Sequence, residues 1–396
     1  MARVAYFVHG RGRGHASRAR AVLPRLRADG HDVQVLAGGQ ALELLGDEAT
    51  LRVIRACVPG PGLARAWTAR VAHDLGVLAS MRPDVVVSDG DGPSIHAALA
   101  LRLPRLAVGH GLLFGHTTLP ASLPRTARWR EAVNAASSSW PAARRVVVHF
   151  APAEPRTFGT VVARPDLVPP PTNSPRVSAA LDADLARQPP RIGFGLSFVG
   201  AANDLHADHP RQPGTNLRAG VLAPNLAHTG EEAFVLAYFR DGNGERWLRA
   251  LVARGHRVVA FGRESMPDGV ERRVPDHAAF AEALTRCAAV VGSAGNHLPA
   301  ECAMLGVPML ALHRRGDPEH AMNAALVAHA GIGLAGAMDA PTAPLLAALE
   351  RFRVAPQVVA RTREMPTASE AVAEEVLRAV SARDSRRAPH REERLG

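Results

Sequence analysis

Two short stretches hold most of the residues whose types and spacing could do chemistry. The first, "GRGRGHASR", ends a predicted strand and sets Gly10, Gly12 and Gly14 before His15, where a helix is expected to begin. Glycine lets the backbone approach a ligand closely, and the unpaired N–H groups of a helix start attract an anion. An imidazole there can accept a proton near neutral pH. The stretch predicts an anion-binding turn beside a general base; the alternative is an ordinary glycine-rich turn.

The second stretch lies in the carboxyl-terminal part of the chain, where a strand ends in small residues and Asn296 and His297 open a helix. Such a turn also suits phosphate. Glu301, about one helical turn further on, can accept hydrogen bonds from a diol such as ribose. A diphosphate flanked by ribose and sugar hydroxyls would suit this set of donors and acceptors. The candidate residues are Gly292, Ser293, Gly295, Asn296, His297, Glu301, Glu319, His320 and Asn323.

Further acids and imidazoles follow two strands of the amino-terminal half. "PDVVVSDG" and "PRLAVGH" end in Asp89, Asp91 and His110, and His116 follows closely. Ligands bind at the carboxyl ends of parallel strands, so Asp91, His110 and His116 are candidate acceptor contacts, with ordinary loop residues as the alternative. The two aspartates could also bind a metal, but a turn with an acceptor-site acid is the expectation, and no metal site is predicted.

Short apolar runs alternate with amphipathic stretches in two series, which predicts parallel sheets with helices on both faces. The first series is expected to close at "RRVVVHF" and the last helix to begin with a capping box of Thr367 and Glu370. We predict an α/β protein of two tandem doubly wound domains. The divisions are residues 1–165 for the first domain, 166–190 for a Pro-rich linker, 191–365 for the second domain, 366–382 for a C-terminal helix and 383–396 for a basic mobile tail. No element is assigned to 191–228.

Composition excludes several classes of protein. The 396 residues carry a net charge of +10, but every basic residue is arginine and these are interleaved with acids, which does not favour nucleic-acid binding. No apolar run is long enough to cross a bilayer. The three cysteines have neither metal-ligand nor disulfide spacing, so a cytoplasmic location is expected. The glycine spacing also differs from the dinucleotide fingerprint.

The second stretch resembles the donor-binding signature of GT-B glycosyltransferases of the MurG-like, family 1 and family 28 type. Gly295, Glu301 and the tripeptide 306–308 (G-V-P) match its small residues, acid and following motif. The pair Glu319-His320 ahead of "NA" matches its acidic and Gln pair. The opening loop is similar to that of a bacterial and archaeal branch of these proteins.

The resemblance implies a GT-B fold, with two Rossmann-like domains facing each other across a cleft. It also implies an inverting transfer of a hexose from a UDP- or dTDP-type donor, without a metal or other cofactor. In this interpretation His15 deprotonates the acceptor, and Asp89 or Asp91 orients it, with Asp89 favoured. Glu301 holds the ribose and residues 293–297 the phosphates, while Glu319 and His320 contact the sugar.

Departures from the signature leave the donor open. Ser293 replaces the histidine of the plant enzymes, Leu298 replaces a serine, and His320 replaces glutamine. The aromatic residue that stacks on the base has no clear counterpart, so both sugar and base stay undefined. A UDP-sugar 2-epimerase of the same fold and a non-catalytic nucleotide-sugar-binding protein are the alternatives.

The acceptor is expected to be a small molecule, a glycan or a lipid-linked molecule. The stretch "GLLFGHTTLPASLPRTARWR" mixes apolar residues with arginine. It predicts either a mobile acceptor loop or a peripheral contact with the inner face of the membrane. The linker is the natural hinge for closure of the domains on the donor. The oligomeric state stays open.

Overall fold

The computed structural model describes residues 1–10, 14–55, 57, 62–166, 233–239, 244–262 and 265–387. Gly12, the stretch 191–228, nearly all of the predicted linker and the end of the predicted tail lie outside these ranges. The described residues form two α/β units, each built on one parallel sheet.

The first sheet has seven strands, and helices cover it on both faces. The strands are β1 (Arg3–Val8), β2 (Asp32–Ala37), β3 (Leu51–Val53), β4 (Val85–Asp89), β5 (Arg105–Gly109), β6 (Arg144–Val148) and β7 (Thr160–Ala163). The helices are α1 (Gly14–Ala28), α2 (Leu42–Leu45), α3 (Leu63–Met81), α4 (Gly92–Ala100), α5 (Leu113–His116) and α6 (Arg125–Ser139). The spatial order is β3-β2-β1-β4-β5-β6-β7, and every neighbouring pair is parallel.

The second sheet has six strands in the described ranges. They are β8 (Val235–Tyr238), β9 (Val258–Phe261), β10 (Val270–Arg273), β11 (Ala289–Ser293), β12 (Met309–His313) and β13 (Gly333–Ala337). The later helices are α7 (Glu245–Ala253), α8 (His277–Arg286), α9 (His297–Leu305), α10 (Pro318–His329), α11 (Thr342–Arg351), α12 (Pro356–Glu364) and α13 (Ala368–Arg387). The order is β10-β9-β8-β11-β12-β13, again all parallel.

The chain reverses direction across each sheet at one point, between β1 and β4 and between β8 and β11. Register places Val8 beside Asp89 in the first sheet and Tyr238 beside Gly292 in the second. A Cβ on Gly292 would lie 2.3 Å from the Tyr238 carbonyl oxygen, so only glycine fits there. Loops leaving adjacent strands in opposite directions open a crevice at each of these switch points.

The central strands are buried on both sides, which explains their Val-rich sequences. All five residues of β4 are buried, as are five of the six in β1. Four edge or near-edge strands differ: β3, β7, β10 and β13 are short and largely part-exposed. Charged residues interrupt β3 and β10, and β7 and β13 are apolar segments of only four and five residues, so sequence patterning missed all four. The expectation that β6 closes the first sheet was wrong, because β7 pairs beside it.

The last helix joins the first unit. Its capping box is confirmed: the Thr367 N–H donates to the Glu370 carboxylate at 2.9 Å, and the Glu370 N–H donates to Thr367 Oγ1 at 3.2 Å. Arg144 of β6 forms an ion pair with Glu375 at 2.7 Å. The predicted end at 382 was too early, since α13 continues to Arg387 and Arg383 pairs with Asp84.

The stretch considered for membrane contact is mostly core. Leu112, Leu113, Phe114 and Leu123 are buried and pack in a cluster shared by both units, which corrects their assignment to a surface. Trp129 on α6 is exposed. Within the described ranges, no helix combines the length and apolarity needed to span a bilayer.

Candidate active site

His15 and Asp89 meet at the switch point of the first sheet. His15 lies in the first turn of α1, and its Nδ1 is 2.7 Å from Oδ1 of Asp89, the last residue of β4. The Asp89 side chain is fully buried, whereas 27% of the His15 side chain is exposed. Gly90 has a φ of +70°, and a Cβ there would lie 2.4 Å from the His15 ring. Glycine at this position therefore leaves the space that the imidazole occupies.

Asp89 has two further side-chain partners. Arg18 donates from Nε to Oδ2 at 2.8 Å and from Nη2 to Oδ1, while the Tyr6 hydroxyl donates to Oδ2 at 3.2 Å. Burial acts to raise the pKa of the Asp89 carboxyl, but Arg18 and His15 outweigh it, and the pKa lies below its ordinary value. Asp89 is therefore ionised at neutral pH.

An ionised Asp89 fixes the tautomer of His15. A carboxylate only accepts hydrogen bonds, so the 2.7 Å contact with Oδ1 requires a proton on Nδ1. Arg18 Nη2, itself a donor, then lies 3.0 Å from Nδ1 without a hydrogen bond to it. Nε2 then keeps a lone pair and can accept a proton. This is the arrangement that a general base requires.

Arg18 and Tyr6 were not among the sequence candidates. Arg18 follows His15 by three residues and therefore lies on the same side of α1. Tyr6 and Val8 share one face of β1, and Val8 pairs with Asp89. An arginine one helical turn after a candidate base was the signal available in the sequence.

Asp91 has a different role from Asp89. It is the N-cap of α4, accepting a hydrogen bond from the Ser94 N–H, and it forms an ion pair with Arg70 at 2.9 Å. Arg70 also pairs with Asp74 at 3.0 Å. Asp91 is thus a buried structural residue of the first unit rather than an open acceptor contact. Within the described ranges, no cluster of three or more His, Cys, Asp or Glu side chains could hold a metal ion.

His116 is likewise held inside the first unit. Its Nε2 is 2.6 Å from Ser139 Oγ and its Nδ1 3.1 Å from Thr157 Oγ1. Burial, with Arg145 and Arg156 nearby, lowers the pKa of His116 to about 4. These contacts place it away from solvent, which corrects its assignment to the edge of a cleft.

The candidate phosphate turn, residues 293–297, leads from β11 into α9. Gly295 and His297 keep part of their surface exposed, and the Asn296 Nδ2 donates to the Val148 carbonyl at 3.2 Å. Burial, together with the positive charge of Arg18, lowers the pKa of His297 to about 4. Because Arg18 belongs to the first unit, the two switch points face each other.

Glu301 lies within α9, one turn beyond the phosphate turn. Its side chain is part-exposed, and burial of the carboxyl raises its pKa to about 8. Among the described residues, none forms a hydrogen bond or an ion pair with this carboxyl. It is therefore available to hydroxyl groups of a ligand.

A buried hydrogen-bond chain joins the two units beside this site. His110 Nε2 is 2.8 Å from Asn323 Oδ1, and Asn323 Nδ2 donates to the Ala294 carbonyl at 3.1 Å. His110 Nδ1 is 3.2 Å from the Val148 carbonyl oxygen. Burial lowers the pKa of His110. His110 and Asn323 thus connect the carboxyl ends of strands in the two units. Their direct contact with a ligand stays a prediction.

Glu319 and His320 open α10 close to this chain. Glu319 is exposed, and its charge acts on His110. The His320 N–H donates at 3.0 Å to Asp317, the N-cap of α10. The pair lies on the same strand edge as residues 293–297, because β12 is the parallel neighbour of β11.

Comparisons with known proteins agree with this architecture. Residues 2–147 match the model of glycosyl transferase family 1. No curated protein sequence matches the chain.

Solved structures are similar over almost the full length. MurG of Acinetobacter baumannii is 16% identical, with 95% of this chain and 99% of that chain covered and a TM-score of 0.60. SnogD from Streptomyces nogalater is 18% identical, with 96% and 99% covered and a TM-score of 0.52. The glycosyltransferase VinC, solved in complex with dTDP, is 16% identical, with 96% and 100% covered and a TM-score of 0.55. The expected fold is confirmed: the chain has the GT-B glycosyltransferase fold, and its first unit matches glycosyl transferase family 1.

Proposed function

We propose that the protein transfers a sugar from a nucleoside diphosphate donor to an acceptor hydroxyl, with His15 as the general base. One observation carries this proposal: an imidazole oriented by a carboxylate faces a helix-start turn that is followed by an open carboxyl. Proton removal and diphosphate binding are the two tasks that glycosyl transfer requires, and they fall on opposite sides of one crevice.

The donor fits the second unit. Backbone N–H groups at the amino end of α9, where the turn of residues 293–297 enters the helix, would bind the diphosphate. The N–H groups of Ala294 and Gly295 are not among them, because they donate to the Leu312 and Ser293 carbonyls. Glu301 would accept hydrogen bonds from the ribose hydroxyls, and Glu319 and His320 would contact the sugar. Gly14, at the start of α1, would face the phosphates from the other side. VinC was solved with dTDP, which supports a dTDP- or UDP-type donor.

The chemistry follows from this placement. The acceptor oxygen attacks the anomeric carbon as His15 Nε2 takes its proton, and the bond from that carbon to the diphosphate oxygen breaks. Asp89 stabilises the imidazolium that forms, and the α9 helix start stabilises charge on the leaving diphosphate. A single displacement inverts the anomeric carbon. The proposal includes no metal or other cofactor.

The acceptor would enter from the first unit, where His15 is exposed. The proposal extends to a small molecule, a glycan or a lipid-linked acceptor, and it places the protein in the cytoplasm or at the inner face of its membrane. The fold and the exposed part of His15 support entry of the acceptor from the first unit. This support is the same for each of the three kinds of acceptor.

A thermal-shift panel of UDP-, dTDP- and GDP-sugars tests the donor site. A donor present at about 100 times its Kd should stabilise the protein by about 2.7 kcal/mol through mass action. The matched control is Glu301→Gln, which keeps the side-chain shape and should reduce the shift. If no nucleotide sugar raises the melting temperature, or if Glu301→Gln responds like the wild type, the proposal fails.

Product analysis of the selected donor separates the remaining alternatives. Transfer or hydrolysis releases the nucleoside diphosphate, whereas a 2-epimerase returns an intact nucleotide sugar with altered configuration. A binding protein without catalysis would be stabilised by the donor and leave it unchanged. Release of the nucleoside diphosphate is the outcome expected here.

A further inference from the structure

We infer that Arg18 is a positioning residue for His15: through their shared partner Asp89 it sets the tautomer and the proton affinity of the imidazole. Only the rate measurement below rests on the proposed function. The ionisation measurement concerns His15 itself and requires no substrate.

One guanidinium contacts both members of the His15–Asp89 pair. Its Nε and Nη2 donate to the two Asp89 carboxylate oxygens, and the same Nη2 lies 3.0 Å from His15 Nδ1. The Arg18 side chain is only 4% exposed. This forked contact fixes the plane of the carboxylate, and thereby the direction in which Oδ1 meets the imidazole.

Arg18 also changes the charge that His15 experiences. A buried carboxylate alone beside an imidazole would strongly favour the imidazolium, which has no lone pair for an acceptor proton. The guanidinium balances that negative charge and so reduces the preference of the pair for the imidazolium. The pair can then work as a base near neutral pH.

The other groups around His15 do not alter the balance of charge between Arg18 and Asp89. Tyr6 comes from β1, and burial and Asp89 raise its pKa well above the ordinary value, so it stays neutral. The His9 ring, from the loop after β1, lies edge-on with its centroid 5.4 Å from that of His15. His297 faces the pair from α9, and burial keeps it neutral, with a pKa of about 4.

The alternative role for Arg18 is that of a phosphate ligand, because it follows a glycine-rich loop. Its burial and its forked contact with Asp89 argue against that role. A phosphate ligand and a positioning residue differ in a measurable way: loss of the first weakens donor binding, and loss of the second changes the ionisation of His15.

The experiment compares wild type, Arg18→Met and Arg25→Met. Arg25 is the matched control, since it lies on the same helix and pairs with Asp29 at 3.1 Å on the surface. His15 is followed by NMR of labelled histidine from pH 5 to 9, with its signals assigned by their loss in His15→Gln. In wild type the nitrogen shifts should show a protonated Nδ1 and a bare Nε2.

In Arg18→Met the His15–Asp89 pair should take up a proton at a pH higher by about one unit or more. The acidic limb of the pH–rate profile should move by the same amount, while the donor thermal shift changes less than twofold. Arg25→Met should titrate like wild type.

Two further variants keep the inference testable if Arg18→Met folds poorly. Arg18→Lys retains the charge and should titrate closer to wild type, and the double variant Arg18→Met/Asp89→Asn removes both charges and should bring the His15 titration back to the wild-type range or below. An unchanged titration in a folded Arg18→Met protein would overturn the inference. Loss of transfer with a normal His15 titration in Arg18→Met would do so too.

Discussion

Two carboxyl groups at the two switch points respond to burial in opposite ways. Asp89 receives hydrogen bonds from Arg18, His15 and Tyr6, and these contacts hold its pKa below the ordinary value although it is fully buried. Glu301 has no such partner among the described residues, and burial raises its pKa to about 8. The same chemical group thus occurs once with its partners in place and once without them.

The difference separates two kinds of site on one fold. The first site, Asp89 with its three partners, is preorganised: its charges are paired, and the geometry of His15 is set before any ligand arrives. At the second site the Glu301 carboxyl has no partner among the described residues, so the ligand must supply one. A reacting group gains from fixed geometry, whereas a binding group gains from polar atoms that are still free. The comparison therefore indicates chemistry at the first site and donor recognition at the second.

The largest effect is expected for His15→Gln. Removal of a general base should lower turnover by about 10²- to 10⁴-fold. The donor thermal shift should stay within about twofold of wild type, because His15 belongs to the first site. Release of nucleoside diphosphate from the selected donor measures the rate. Equal losses of turnover and donor binding would contradict the assignment of chemistry to the first site and donor recognition to the second.

Asp89→Asn should have the largest effect on stability. It leaves the buried Arg18 without its countercharge, which should lower the unfolding free energy by about 3–5 kcal/mol in urea at pH 7. Asp29→Asn is the control, since it removes one partner of the surface pair Arg25–Asp29 at the end of α1 and should cost under about 1 kcal/mol.

The pH dependence of that difference follows from the lowered pKa of Asp89. Its stabilising contribution is present above the unfolded pKa of about 3.9 and is lost as the pH falls through the folded pKa. The gap between wild type and Asp89→Asn should therefore close in acid. A gap that is constant from pH 7 to pH 3 would contradict the paired state of Asp89.

Glu301→Gln should weaken donor binding at pH 7 by up to about tenfold. Hydrogen bonds to a charged group contribute about 1.5–3 kcal/mol, and ionising a carboxyl with a pKa of about 8 costs about 1.4 kcal/mol of that. Ribose hydroxyls favour the ionised carboxyl, so binding near pH 7 should release protons from wild type and none from the variant. Calorimetry in buffers of different ionisation enthalpy measures this release. Equal proton release from both proteins would exclude Glu301 as the ribose contact.

Glu301 without a ligand gives a test on stability that needs no donor. Its folded pKa of about 8 lies above that of the unfolded chain, so between about pH 4.5 and 8 the folded protein binds more protons than the unfolded one. The unfolding free energy of wild type should therefore fall relative to Glu301→Gln as the pH rises through this window. Melting curves of both proteins from pH 5 to 8 measure this change in the difference between their unfolding free energies. A difference that stays constant with pH would mean that the Glu301 carboxyl contacts water or an unseen partner.

The sequence was sufficient for the parts of this fold that depend on local pattern. Val-rich central strands and the capping box of α13 are local signals, and each is where it was predicted. Edge strands such as β3 and β10 have too few buried residues to give a periodic signal. They form because a neighbouring strand provides hydrogen-bond partners, which the local sequence does not encode.

The site was predictable only in part, for a related reason. The choice between Asp89 and Asp91 depends on register: Asp89 pairs with Val8, whereas Asp91 begins α4. "DGPS" after the strand is a typical N-cap followed by proline in the first turn, and this signal could have separated the two acids. The contact of Asn323 with His110 joins residues far apart in sequence, and no local pattern predicts it.

A crystal structure with a bound nucleoside diphosphate tests the central claim most directly. The account predicts phosphate oxygens within hydrogen-bond distance of N–H groups at the amino end of α9, and ribose hydroxyls on Glu301. His15 should face the diphosphate across the crevice with its Nδ1 still on Asp89. A nucleotide bound elsewhere on the chain, or His15 turned away from Asp89 and from the ligand, would contradict it.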